Sequence, residues 1–292
     1  MIITNHAGLK PVALTLLVLI PSVSSAFSIE KNTLKIINWN VLYGFNYNKS
    51  IAQGVKWIKG QNSDVVALQE PNGLNLNSLK NMAKQWGHEH AVILKEEGFP
   101  VGLTSRKPIE VIERKVEGFH HGYLHAKTSG IHFFVVHFWP YKDHEAKAII
   151  EKIKPLLKQG KKVIVTGDFN TYSEKDKDYL ATRKNLRFPV SENKRSLYNV
   201  VNMFEANGFV DLVYKHDKKA KYSYPSPIIM ATKGTKTLEE VKAKRKRIDF
   251  IFADETLQTS STSATIIISK ELDMISDHYP TLAEFKLPSE AR

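Results

Sequence analysis

A chain of 292 residues with 42% apolar and 25% charged side chains can bury a sizeable core, which excludes a disordered or fibrous protein. With no cysteine it has no disulfide framework, no thiolate metal site and no lipid-modified cysteine anchor. The 42 Lys and Arg against 30 Asp and Glu give a net charge of +12, which either favours anionic partners such as nucleic acid and phospholipid headgroups or simply makes a soluble basic surface.

Residues 1–26 read differently from the rest: Lys10, the apolar run "VALTLLVLI", Pro21 and then the small residues "SVSSA". That layout predicts a secretory signal peptide cleaved after Ala26, since the run falls short of the roughly 20 residues needed to span a bilayer. The expectation is an exported protein, periplasmic or secreted, with no stable membrane anchor after cleavage. Residues 27–292 show no repeat, low-complexity tract or Pro/Gly-rich linker and read as one domain, expected to be monomeric.

Along that domain, short β-rich runs are predicted at 34–41, 64–70, 90–96, 101–106, 131–138, 162–168, 248–254, 264–269 and 281–285. Helical stripes alternate with them. Ala52, Val55 and Ile58 form one, and Leu79, Met82 and Trp86 another. A third runs from an Asp143 N-cap through Ala146, Ile149, Ile150, Ile153 and Leu157 to a stop at Gly160, with Pro155 disturbing its last turn; a fourth is Leu197, Val201 and Phe204, closed by Gly208. Strands alternating with amphipathic helices make the class α/β. The polar, basic intervals 172–196 and 215–247 read as surface insertions or loops.

Six apolar runs carry polar groups at or just beyond their ends. Asn38 and Asn40 close the first, Glu70 the second and His137 the fifth; Asp168 and Asn170 follow the sixth; Asp249 opens the seventh, and Asp277 and His278 precede the last. Each alone has an ordinary structural explanation: a turn aspartate, a core histidine, a solvated glutamate. Together they supply oxygen ligands for a hard divalent cation and imidazoles that can move protons or polarise a phosphoryl oxygen.

The motifs "NWN", "LQE", "VVH", "GDFN", "RIDFIF" and "SDHYP", in this order over residues 34–285, resemble the endonuclease/exonuclease/phosphatase superfamily with the DNase I-like fold. The resemblance implies a four-layered α/β sandwich, two packed mixed β-sheets flanked by helices. It implies Asn40, Glu70 and Asp277 as the metal group for Mg²⁺ or Mn²⁺, with Asn38 as a neighbour. Asp168 and Asn170 would align the attacking water and contact the phosphate. His278 would contact the scissile phosphate with Asp249 orienting and charging it, and His137 would be a second histidine, with Glu89 a candidate to support it. Arg106 in "TSRKP" would hold a phosphate or brace the site.

For the substrate, "KAKRKR" at 242–247 could set a cluster of positive charges at the mouth of the site, and Trp139 and Tyr141 could form an aromatic rim with Tyr43; Trp39 reads as core. An inositol-phosphatase signature, a membrane-seeking apolar hairpin and the half-cystines of DNase I itself are missing from the sequence. The reading is a divalent-metal-dependent phosphoesterase, foremost a nuclease or other phosphodiesterase acting on nucleic acid. The alternatives are a phospholipid or small phosphate ester hydrolase, and an inactive phosphate-binding module.

Overall fold

The computed structural model describes residues 1–2, 33–140, 142–184, 186 and 195–287. The expected leader therefore lies outside the described residues except for Met1 and Ile2, as does Tyr141. The strands are β1 (Thr33–Asn40), β2 (Val65–Gln69), β3 (His90–Ile93), β4 (Val101–Ser105), β5 (Glu110–Lys115), β6 (Tyr123–Thr128), β7 (Ile131–His137), β8 (Lys162–Asp168), β9 (Phe209–Asp211), β10 (Asp249–Asp254), β11 (Ser261–Ile266) and β12 (Thr281–Lys286). The α-helices are α1 (Ile51–Gln61), α2 (Leu76–Gln85), α3 (Asp143–Lys158), α4 (Lys177–Ala181), α5 (Arg195–Ala206), α6 (Leu212–His216), α7 (Ile229–Thr232) and α8 (Leu238–Ala243).

Two six-stranded sheets result, ordered β11-β12-β1-β2-β4-β3 and β5-β6-β7-β8-β10-β9. Each has one parallel pair at its centre, β1 with β2 and β7 with β8, and antiparallel strands around it. Of these central strands β2, β7 and β8 carry unbroken stretches of Val, Ile, Ala, Leu or Phe because both of their faces are covered. The two-residue period sorts their side chains between layers. Phe133, Ile164 and Ile251 join a core with Ile36, Val65 and Leu103 of the first sheet. Their strand neighbours Phe134, Val163, Val165, Phe250 and Phe252 instead pack on Ala146 and Ile149 of α3 and on Val201 and Phe204 of α5. On the far side of the first sheet, Trp39 of β1 meets Trp57 of α1 edge to face, ring centroids 5.2 Å apart. The architecture is the four-layered sandwich that the motifs implied.

All nine predicted strands and all four stripes are present. Within the first stripe Ala52 is exposed, and Trp57 takes the core position beside Val55 and Ile58. Three strands escaped the sequence. In β5, "EVIERK", exposed and half-buried residues alternate on a sheet edge, a pattern too polar to read as a strand. β6 carries His125 and Lys127 in a mostly buried strand, and β9 spans three residues. Asp143 opens α3 as its first residue rather than its cap and receives the Asn199 amide at 2.7 Å.

Candidate active site

The parallel pairs deliver their carboxyl ends to one place. His137, Asp168 and Asp249 are direct partners across β7, β8 and β10, so one row of the second sheet carries an imidazole followed by two carboxylates. β8 can run this close to β7 because residue 167 is glycine: a Cβ there would lie 1.9 Å from the Val136 carbonyl oxygen. From the first sheet come Asn40, the last residue of β1, and Glu70, just past β2. Asp277 and His278 arrive on the loop before β12. Ser276 fixes that loop by donating to the Asn40 carbonyl at 2.6 Å, and Trp39 Nε1 donates to the His278 carbonyl at 2.8 Å.

The backbone between β1 and α1 is strained. Residues 42–48 all have positive φ, from 44° at Leu42 to 72° at Gly44, and Glu70 sits at 58°. L-residues resist this region at roughly 1–2 kcal/mol each, so surrounding contacts must hold it. Gly44 donates its N–H to the Glu70 carbonyl at 2.7 Å, Tyr43 N–H donates to Glu70 Oε2 at 3.3 Å, and Phe45 is fully buried. The strain thus brings a backbone donor against the Glu70 carboxylate.

Asp168 is the focus. Its Oδ2 accepts from Asn40 Nδ2 at 3.0 Å and lies 3.5 Å from His137 Nε2 and 3.7 Å from His278 Nε2, while its Oδ1 accepts from the Asn170 backbone N–H at 2.9 Å. Burial, opposed by His278 and reinforced by Asp249, pushes its carboxyl up to about 7. His278 Nδ1 is 2.8 Å from Asp249 Oδ2. Burial works against an imidazolium there, but the carboxylates of Asp249, Asp168 and Asp277 outweigh it and raise the imidazole to about 10. His137 is the opposite case: burial and the neighbouring histidines hold it well below the ordinary range, so it is neutral. Two histidines at one site are therefore tuned apart, one a cation and one a neutral ring.

On the other side stand Glu70 and Asp277. Burial and the charge of Asp277 both raise the Glu70 carboxyl, the signature of two carboxylates short of positive charge. Asn40 Nδ2 also donates to Glu70 Oε1 at 3.1 Å, while its Oδ1 accepts from Leu42 N–H, so the amide bridges Glu70 and Asp168 as a donor. Lys233 reaches in with Nζ 2.6 Å from Asp277 Oδ2. The donors fit a hard divalent cation: Glu70 and Asp277 are oxygen ligands under mutual repulsion, and the carboxylates of Asp168 and Asp249 lie within 4.8 Å of each other beside them.

Glu70, His137, Asp168, Asn170, Asp277 and His278 line a cavity of about 550 Å³ together with Tyr43, Phe99, His120, His121, Trp139, Tyr224, Lys233 and Lys246.

A family model for the Endonuclease/Exonuclease/phosphatase family matches residues 37–278. The chain belongs to this family. With these carboxylates, amides and imidazoles gathered in one cavity, this family member is a hydrolase acting on phosphate esters. No curated protein matches it in sequence. Among solved structures it is similar to an AP endonuclease from Archaeoglobus fulgidus, with a TM-score of 0.68 and 20% identity over 87% of this chain and 100% of the other. It is also similar to a variant of the 3′ phosphatase NExo from Neisseria bound to a product DNA hairpin, with a TM-score of 0.65 and 18% identity over 86% and 99%. The NExo 3′-5′ exonuclease from Neisseria meningitidis gives 0.63 and 18% over 87% and 100%.

Of the residues singled out in the sequence, Asn40, Glu70, His137, Asp168, Asn170, Asp249, Asp277 and His278 converge on this family site. Asn38 stays beneath it, accepting from the Gln69 amide at 2.9 Å. Arg106 does not belong to it. β4 runs antiparallel to β2, so Ser105 lies opposite Val65, at the end of the sheet away from Glu70; Arg106 Nε donates to the Ser63 carbonyl at 2.8 Å and braces the α1–β2 turn. Glu89 is exposed at the start of β3, and His137 is flanked instead by the rings of His121 and Phe99.

The basic run also reads differently in three dimensions. Arg247 is buried, held by Asp176 at 2.7 Å and Asp211 at 2.5 Å; Arg245 lies over the Tyr222 ring; Lys244 donates to Thr235 and Lys242 to Glu239. Only Lys246 of the run lines the cavity among the described residues. The interval 215–247 is likewise more than a surface insertion, because it supplies Tyr224, Lys233 and Lys246 to one wall. Nothing in its polar sequence marked Lys233. The adjacent pair His120–His121 follows no apolar run, so a criterion based on strand ends passes over it.

Proposed function

We propose that the protein is an exported, monomeric phosphodiesterase that cleaves nucleic acid with Mg²⁺ or Mn²⁺. The observation that carries the reading is the surround of Asp168 Oδ2: Asn40, neutral His137 and cationic His278 within 3.7 Å, in a carboxyl group poised near neutrality. Asp168 accepts the proton of an attacking water through Oδ2. His278, kept charged by Asp249, donates toward a phosphate oxygen on which negative charge builds, and Asn170, anchored by its amide to the Phe138 carbonyl at 3.1 Å, steers the phosphate. The phosphorus–oxygen bond to the leaving group breaks as the bond from water forms. Glu70 and Asp277 would hold the divalent cation, with Asn40 beside them, and when bound it supplies positive charge to the phosphate oxygens.

Nucleic acid as substrate is supported by the similar folds, which include an AP endonuclease, a 3′ phosphatase with a DNA hairpin and a 3′-5′ exonuclease. Export rests on residues 1–26, and a mature chain beginning at Phe27 is its check. The test of the function is turnover with Mg²⁺ or Mn²⁺ on plasmid DNA, RNA, sphingomyelin and a chromogenic phosphodiester. Cleavage of DNA or RNA well above the lipid is expected; preference for sphingomyelin would move the substrate to phospholipid, and no turnover on any of the four would leave an inactive phosphate-binding module.

A further inference from the structure

One wall of the cavity is an unbroken run of rings. From Tyr47 the chain of contacts passes to Tyr43 (centroids 4.8 Å apart, 10° between planes), Phe99 (5.4 Å), His121 (4.8 Å), His120 (4.4 Å) and Trp139 (4.6 Å, 34°). His121 also stacks on His137 at 4.3 Å, which joins the run to the catalytic row. All six rings line the cavity; Tyr47 and His120 are exposed, and Tyr43, Phe99 and Trp139 are half-buried. Lys95 and Lys142 stand close enough to depress the His120 imidazole, after burial itself, so the imidazoles are uncharged at neutral pH and cations flank them.

We propose that this ledge, from Tyr47 to Trp139, is a platform on which unpaired bases of a single-stranded nucleic acid stack while a phosphate of the same strand sits at His278. The inference rests on the nucleic-acid reading above and narrows it. Uncharged planar rings in series beside cationic side chains are what a single strand needs, since every base has a face to stack and every nucleotide a phosphate to neutralise. A duplex keeps its base faces stacked on one another and would use only the lysines. A quaternary ammonium headgroup, which also seeks aromatic faces, would be repelled by Lys95 and Lys142.

Binding can be read apart from turnover by holding the protein in EDTA. Trp39, Trp57 and Trp86 are buried, so Trp139 reports on the ledge. A short oligothymidylate is expected to quench its emission and to bind about ten-fold more tightly than an abasic strand of equal phosphate count, as one or more stacked bases would give. His120→Ala, outside the buried core, should remove most of that preference; Trp139→Phe should abolish the quench and keep a stacking surface. Equal affinity for the abasic strand, equal affinity for a blunt duplex, or saturable quenching by phosphocholine in place of the oligonucleotide would each overturn the ledge. Base-dependent binding without hydrolysis of any phosphodiester would sink the phosphodiesterase reading alone; hydrolysis without base dependence would sink the ledge alone.

Discussion

Asp249 Oδ2 lies 2.8 Å from Nδ1 of His278, with both groups buried, and this contact decides the charge of the histidine. Burial by itself would keep the ring neutral; the carboxylates hold it charged up to about 10. In Asp249→Asn the burial remains and the nearest carboxylate is gone, so the imidazolium is lost at lower pH. The expected outcome is a fall in kcat of about 10²–10⁴-fold at neutral pH, with the alkaline limb of the pH–rate profile moved toward acid. An unchanged profile would mean that the charge of His278 is not used.

Lys233 is the cation already facing the Glu70–Asp277 pair, 2.6 Å from Asp277. Any divalent ion held there shares those carboxylates with it. Lys233→Met removes one positive charge at short range, an interaction of a few kcal/mol at an effective dielectric of about 20. Calorimetric titration should show Mn²⁺ binding tightened by about ten-fold or more, the effect of roughly 1.4 kcal/mol. Weaker binding would indicate that the ion sits elsewhere.

Arg247 carries a buried charge between Asp176 and Asp211. Removing one partner from such a cluster leaves uncompensated buried charge and costs about 3–5 kcal/mol. Arg247→Met should therefore lower the urea midpoint strongly, whereas Arg245→Met, at a cation set over an aromatic ring, should cost far less. Equal effects of the two would contradict the buried cluster.

Acid should destabilise the fold through histidines buried in the neutral form. His88, fully buried between the Ser63 carbonyl and Thr104, is lowered to about 4, chiefly by burial. An unfolded histidine titrates near 6.5, so between about pH 6.5 and 4 the unfolded chain binds the extra proton. The stability contributed by the neutral ring is whole above about pH 6.5 and is lost as pH falls toward 4, a change of about 3 kcal/mol. Urea midpoints at pH 7.5 and 5 should differ accordingly, and His88→Gln should flatten the difference.

What the sequence disclosed follows from where the physics is local. A strand buried on both faces must be apolar throughout, so β1, β2, β7 and β8 announced themselves, and polar residues at their ends stood out against them; that is how Asn40, Glu70, His137 and Asp168 were found. Asp249 and His278 were found the same way. Tyr43 and Trp139 stood out beside the motifs, but Lys233, Tyr224 and the other ledge rings reach the cavity from loops and short helices whose patterns resemble any solvated surface. Arg106 and Arg247 misled because a charge in sequence says nothing of its partner in space: one closes a turn at the far end of β4, the other is swallowed by two aspartates. β6 hid for a related reason, since His125 pairs with His132 at 2.9 Å inside the sheet and its polarity signals a cross-strand contact instead of a loop.

The central claim is that Asp168, set among Asn40, His137 and His278, accepts the proton of the attacking water. Its most direct test is the single-turnover rate of cleavage of an end-labelled oligonucleotide with saturating Mg²⁺ or Mn²⁺, for the wild type and for Asp168→Asn, with circular dichroism to confirm that both are folded. The account predicts a loss of about 10²–10⁴-fold in rate for the variant at pH 7.5. A folded Asp168→Asn protein that cleaves at the wild-type rate would contradict it.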